Sequence, residues 1–157
     1  MNVYEGSLLN APKYKYAIVV SRWNEFITER LKEGALLALR KHGVPEENFD
    51  VFYVSGSFEL GSTAKKIALT KNYDGILCIG CVIRGATDHY DHVASQAASQ
   101  IARASMDTNI PIIFTVLTTD TIEQAIERAG TKSGNKGYEG AITLMEMCDL
   151  YHKIEKL

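Results

Sequence analysis

The sequence predicts an α/β fold, a three-layer α/β/α sandwich built on a four-stranded parallel sheet, and two observations carry that prediction. Four short apolar runs rich in β-branched residues are separated by longer segments of helical period. The runs are apolar throughout instead of alternating, so each reads as a strand covered on both faces. Helical connections between successive strands then require parallel pairing through right-handed crossovers.

Residues 16–21 (Tyr-Ala-Ile-Val-Val-Ser) form the first such run and stop at the polar Arg22-Trp23-Asn24. From Asn24, an expected N-cap, the period turns helical. Ile27, Leu31, Ala35, Ala38 and His42 share one face, while Glu29, Lys32, Glu33 and Lys41 fall elsewhere, and Gly43 with Pro45 supplies a stop. The cycle continues with strand 49–54, helix 58–71, strand 75–81, helix 88–107 and strand 110–117. A short helix at 120–129 and a final helix at 136–153 follow, joined by a connection over residues 130–137. The first dozen residues do not fit the cycle and are expected to form either an edge strand or an arm reaching another subunit. The stretch 94–100 (Ala-Ser-Gln-Ala-Ala-Ser-Gln) is a small-residue helix face suited to close packing.

Length and composition bound the function. A chain of 157 residues is expected to be one domain, 1–157, with one core. Hydrophobic residues at 46% and charged residues at 23% exclude a disordered, collagen-like or membrane-bundle chain. Seventeen Lys and Arg against nineteen Asp and Glu give a net charge of −2, which argues against general binding of nucleic acid or anionic membrane. With no leader-like N-terminus and no apolar window of about 18 residues, a cytoplasmic location is expected. Cys78, Cys81 and Cys148 are too few and odd in number for a disulfide framework and are expected to be reduced.

Ligands of an open parallel sheet bind outside the carboxyl ends of its strands, so chemistry is sought after Ser21, Val54, Cys81 and Leu117. Cys78-Ile-Gly-Cys81 has the spacing of half a zinc or redox site, but residues three apart in a strand face opposite sides and no second cysteine pair exists. Buried structural thiols are the simpler reading. In Asp88-His89-Tyr90-Asp91-His92, a cap at Asp88 and a dipole partner at Asp91 account for the carboxylates without a metal. One histidine there suits reversible proton transfer, because imidazole titrates near neutral pH. Gly85-Ala86-Thr87 lies where a strand turns into a helix, either as a phosphate cradle of backbone N–H groups or as a tight turn needing glycine. Arg128, Lys132 and Lys136 put three cations in nine residues, either a solvated turn or a phosphate-binding group that serves a neighbouring chain. The segment is no P-loop, and Ser57 lacks the glycine two residues on that a nucleophile elbow needs. Glu59 either favours a helix dipole or accepts hydrogen bonds from a polyol, and Trp23 either stacks on a flat heterocycle or fills the core.

Taken together, Arg22-Trp23-Asn24, the segment 55–60 (Ser-Gly-Ser-Phe-Glu-Leu), the segment 82–91 and the segment 127–137 resemble, in order and spacing, the motifs of the 6,7-dimethyl-8-ribityllumazine synthase family. The resemblance covers nearly the whole chain. It implies a flavodoxin-like sheet and the penultimate step of riboflavin synthesis: condensation of 5-amino-6-(D-ribitylamino)uracil with 3,4-dihydroxy-2-butanone 4-phosphate, releasing phosphate and water. It implies no cofactor and no metal. Trp23 would stack on the pyrimidine with Asn24 nearby, Ser57, Phe58 and Glu59 would hold the uracil and ribityl chain, and Cys81, Val82 and Ile83 would contact the ring. Ala86, Thr87 and Arg128 would meet the butanone phosphate, and His89 would carry protons. Phe114, Arg128 and Lys136 would come from the adjacent subunit.

Family members form pentameric rings. The compact 130–137 connection resembles that of shell-forming members, which implies an icosahedral assembly of about 60 chains and association with riboflavin synthase. Two features depart from the family pattern. Ser55 and Gly61 stand where the family usually has proline, which implies a looser loop around Ser57–Glu59. Trp23 stands where phenylalanine is more frequent, and its wider ring implies flavin binding. Two other classes stay open, a flavin-binding module without catalysis and a phosphate-binding signalling domain, although the latter lacks the expected acidic cluster at its strand ends.

Overall fold

The run Tyr16–Ser21 is buried at all six positions and forms β1, an inner strand of the sheet. The computed structural model describes residues 1–131 and 134–157. On one side of β1 lies β2 (Phe49–Val54), on the other β3 (Gly75–Ile83), and β4 (Ile112–Thr119) completes the order β2-β1-β3-β4 with every pairing parallel. The connections are α1 (Glu25–Lys41), α2 (Leu60–Ala68) and α3 (His89–Thr108), followed by the short α4 (Ile122–Ile126) and by α5 (Lys136–Glu155). Among the described residues, no helix is long and apolar enough to cross a membrane.

Strand alternation divides the core into two layers. Tyr16, Ile18, Val20, Leu77, Ile79 and Cys81 pack with α1 and α5, whereas Ala17, Val19, Ile76, Cys78 and Val82 pack with α2 and α3. The predicted three-layer arrangement is therefore the observed one, and Cys78 and Cys81 face opposite layers. Burial pushes the Cys78 thiol up to about 12 and the Cys81 thiol up to about 11, so both stay protonated and unreactive near neutral pH.

Several local expectations are corrected. The N-terminal dozen forms no strand: Leu8–Lys13 is a 3₁₀ turn whose Leu9 N–H donates to Ser7 Oγ at 3.2 Å. Asn24 stands before α1 but adopts the left-handed conformation, with φ 62°, and its side chain does not cap the helix. Asp88 makes no side-chain cap either; the Thr87 hydroxyl accepts the His89 N–H at 3.4 Å instead. Both β3 and β4 run two residues past their expected ends, because Val82 and Ile83 stay in register with Thr118 and Thr119 and the Arg84 N–H donates to the Thr119 carbonyl at 2.8 Å. The helix expected over 58–71 opens as a 3₁₀ turn, Ser57–Glu59, and ends at Ala68. The one expected over 120–129 gives way after Ile126 to a wide turn, Glu127–Thr131, in which Gly130 takes φ 109°, a conformation that side chains with a Cβ resist.

At the amino ends of the strands, Asp149 of α5 ties down the N-terminal segment. It is 1% exposed, and its carboxylate accepts from Ser7 N–H at 2.8 Å, Asn10 Nδ2 at 2.9 Å and Tyr14 O–H at 2.9 Å, with Lys153 Nζ at 2.7 Å. Burial by itself would raise its pKa, but the bonds from Lys153, Asn10, Ser7 and Tyr14 outweigh it and hold the carboxyl well below the usual carboxylate range. This stabilisation is complete above the ordinary value of 3.8 and is lost as pH falls through the depressed one. Asp149→Asn is accordingly expected to cost about 2 kcal/mol near neutral pH in urea unfolding. The deficit relative to the parent should shrink below about pH 4, whereas a deficit independent of pH would assign the loss to packing instead of charge.

Candidate active site

From β1 the chain crosses through α1 to β2 on one side, while β3 and β4 lie on the other. The reversal of direction between β1 and β3 opens a crevice at their carboxyl ends. Short hydrogen bonds shape this end. Arg22 N–H donates to the Val54 and Ser55 carbonyls at 2.8 and 3.1 Å, and Trp23 N–H donates to the Ser55 carbonyl at 3.0 Å. Asn24 spans the crevice, its Nδ2 donating to the Cys81 carbonyl at 2.9 Å. The left-handed turn that denies Asn24 its capping role thus joins the ends of β1 and β3.

The Trp23 indole is 62% exposed, which decides between the two sequence readings in favour of a rim position over a core one. It lies against Gly56, where a Cβ would come 2.5 Å from Trp23 Cε3. Gly56 N–H donates to Glu59 Oε2 at 3.0 Å, which fixes that carboxylate through one of its two oxygens. Ser57 is buried beneath the same turn and Phe58 is exposed beside it. At the end of β3, Cys81 and Val82 are buried and Ile83 is half-buried. Eight of the residues singled out in the sequence therefore gather at three neighbouring strand ends.

Both positions that depart from the family pattern have defined contacts. The Ser55 carbonyl takes two backbone N–H groups from β1's end. Gly61 lies where α2 meets α3, and a Cβ there would come 2.5 Å from Gln100 Cβ and 2.9 Å from its carbonyl carbon. Close helix approach accounts for glycine at that position, beside the small-residue stretch read from the sequence.

Beyond β3, residues 84–89 are all exposed and carry Ala86, Thr87 and His89 to the start of α3. The positive end of a 20-residue helix faces this turn and favours an anion there. Asp91 stands in the first turn of α3, as the dipole reading expects, and there also meets Arg84 at 3.5 Å, whereas Asp88, not a side-chain cap, lies 3.7 Å from His92 Nε2.

Phe114, Arg128 and Lys136 lie elsewhere. They line a cleft of about 440 Å³ along edge strand β4 and the start of α5, together with Thr118, Glu139 and Thr143. None of the residues from the β1, β2 and β3 ends is among its described lining. Lys136 pairs with Glu139 at 2.7 Å, and Arg128 Nη1 donates to the Gln124 carbonyl at 3.2 Å. The third cation of the sequence cluster, Lys132, lies outside the described residues.

Two positioning side chains escaped the sequence reading. Asn135 caps α5 by accepting the Tyr138 N–H at 3.1 Å while its Nδ2 donates to the Ala129 and Arg30 carbonyls at 2.9 and 3.0 Å, closing the turn that carries Arg128 and Lys136. An asparagine directly before a helical period was the available signal. Arg84 contacts Asp120, Asp91 and the Tyr90 ring, and only its place between strand and helix hinted at a role.

The family model described as 6,7-dimethyl-8-ribityllumazine synthase matches residues 13–152 of this chain. Proteins from two strains of Clostridium kluyveri, both named 6,7-dimethyl-8-ribityllumazine synthase, are 52% identical to it over 155 residues, covering 99% of this chain and 100% of theirs. The agreement runs from the 3₁₀ turn before β1 to the last turns of α5 and so takes in both groups of site residues. On that evidence, the chain belongs to the 6,7-dimethyl-8-ribityllumazine synthase family.

Proposed function

We propose that this chain, one domain over 1–157, condenses 5-amino-6-(D-ribitylamino)uracil with 3,4-dihydroxy-2-butanone 4-phosphate to 6,7-dimethyl-8-ribityllumazine, releasing phosphate and water, in the cytoplasm. One observation carries the reading: each chain presents two separate half-sites, the strand-end crevice with Trp23, Asn24 and Glu59 and the β4 cleft with Phe114, Arg128 and Lys136. A second copy that seats its cleft against the crevice completes a site for two substrates. The proposed assembly is a homo-oligomer, a pentameric ring built further into an icosahedral shell that associates with riboflavin synthase.

In this site the uracil ring stacks on Trp23 beside Asn24, the ends of β3 at Cys81, Val82 and Ile83 border it, and Phe114 covers it from the neighbour. Ser57 and Phe58 hold the same substrate, and Glu59 accepts ribityl hydroxyls through its second oxygen. Arg128 offers a forked guanidinium to the phosphate of the other substrate, supported by Ala86, the Thr87 hydroxyl and the positive end of α3. The pyrimidine amine attacks the ketone and expels its oxygen as water to form an imine, phosphate leaves, and the ribitylamino nitrogen closes the ring on the remaining carbonyl with loss of a second water. His89 moves protons between nitrogen, oxygen and carbon in these steps.

Holding the two reactants together is worth roughly 7–11 kcal/mol, against about 10²–10⁴-fold for one acid–base group. Positioning therefore dominates. With lumazine fluorescence as readout, His89→Ala is expected to lower kcat by about 10²-fold yet leave measurable activity, and Arg128→Ala to raise KM chiefly for the phosphorylated substrate. An inactive His89→Ala enzyme with intact binding would reverse the ranking. Solution mass is expected at about 60 chains, with five as the alternative closed ring, and a monomeric enzyme would exclude the shared site. Because Trp23 is the single tryptophan, titration with riboflavin or FMN is expected to quench the intrinsic fluorescence from this ring. Unchanged emission at high micromolar flavin would reject flavin stacking.

A further inference from the structure

We propose that Arg84 is a positioning residue that clamps the exposed turn 85–88, and thereby sets the affinity for the phosphorylated substrate. The inference rests on the reading of Ala86, Thr87 and Arg128 as the phosphate subsite. Residues 84–88 are exposed, and the space beside Gly85 is open to at least 4 Å, so side-chain packing does not hold the turn. Directional contacts from Arg84 do. Its backbone N–H donates to the Thr119 carbonyl at 2.8 Å, its Nε donates to Asp120 Oδ1 at 2.9 Å, and its Nη1 lies 3.5 Å from Asp91 Oδ1. The guanidinium also lies 4.3 Å from the centroid of the Tyr90 ring, and Tyr90 packs on the core layer of α2 and α3.

These contacts join three elements: the end of β4 through Asp120, the first turn of α3 through Tyr90 and Asp91, and the turn between them. Asp120 is itself fixed, because its N–H donates to Gln124 Oε1 at 2.9 Å, and the Gln124 carbonyl accepts from Arg128 Nη1 at 3.2 Å. One guanidinium thus ties the turn that carries Thr87 to the start of the segment bearing Arg128. Forked geometry matters here: a lysine can pair with Asp120 but cannot also reach toward Asp91 while lying over the Tyr90 ring. Since two carboxylates and a ring face already occupy Arg84, its role is indirect, and removing Asp120 separates that role from direct phosphate binding.

The test is steady-state kinetics of Arg84→Ala, Arg84→Lys, Asp120→Asn and the double variant Arg84→Ala/Asp120→Asn. Arg128→Ala serves as control, and native mass is checked for each assembled enzyme. Arg84→Ala and Asp120→Asn are each expected to raise KM for the butanone phosphate about five- to tenfold while KM for the pyrimidine stays within about twofold, with the double variant no worse than Arg84→Ala. Arg84→Lys should recover only part of the loss. Three results would overturn the proposal: an unchanged KM in Arg84→Ala, an unchanged or lowered KM in Asp120→Asn beside a raised one in Arg84→Ala, which marks a direct phosphate ligand, or equal rises for both substrates, which mark general damage. If Arg84→Ala fails to assemble, the exposed Asp120→Asn decides by the same KM criterion. A raised KM in Arg128→Ala with none in Arg84→Ala sinks the clamp alone, whereas an unchanged KM in Arg128→Ala sinks the phosphate-subsite reading beneath it.

Discussion

Parallel pairing of β1 with β3, buried on both faces, is the constraint from which the remaining architecture follows. A strand covered by helices on two sides exposes its backbone only at its ends, so polar chemistry is confined there. Connections leave β1 toward β2 on one side and reach β3 and β4 on the other, so the two central carboxyl ends diverge and leave a crevice between them. Asn24 bridges that crevice to the Cys81 carbonyl, giving up the helix-capping role its residue type favours. The cost of one cap, about 1 kcal/mol, is offset by a bond that fixes the site's two walls relative to each other.

The anchoring contacts of the N-terminal segment and the candidate site lie at opposite ends of the sheet. The amino ends are closed by the four-fold hydrogen-bonded Asp149, which anchors residues 7–14 on α5. The carboxyl ends keep an exposed indole, an exposed phenylalanine and a turn held by ion pairs instead of packing. Exposed pairs of this kind contribute little to folding free energy, so the Arg84 contacts matter through the geometry they impose and not through stability.

A net charge of −2 conceals how the cations are deployed. Arg84 is neutralised by Asp120 and Asp91, and Lys136 by Glu139, whereas Arg128 is oriented by a backbone carbonyl with no carboxylate contact among its described bonds. An arginine oriented through a neutral carbonyl retains its charge for an incoming anion. The cleft that holds it runs along β4, one of the two edge strands of the sheet.

The periodicity of the chain determined the strand and helix order, the parallel sheet and the split of Cys78 and Cys81 between layers, because burial on both faces leaves a local imprint on residue type. Motif residues at strand ends were legible for the same reason: each sits where an apolar run stops. Element ends were not, since β3 and β4 extend through mutual pairing that neither segment encodes alone. Asn24 and Asp88 read as caps by residue type, yet one was drawn to Cys81 across the crevice and the other was displaced by Thr87. Nor could spacing show that Phe114, Arg128 and Lys136 line a cleft separate from Trp23 and Glu59, or that Arg84 reaches Asp120 thirty-six residues away. Local preference is written along the chain, whereas contacts between segments distant in sequence exist only once the sheet has set those segments side by side.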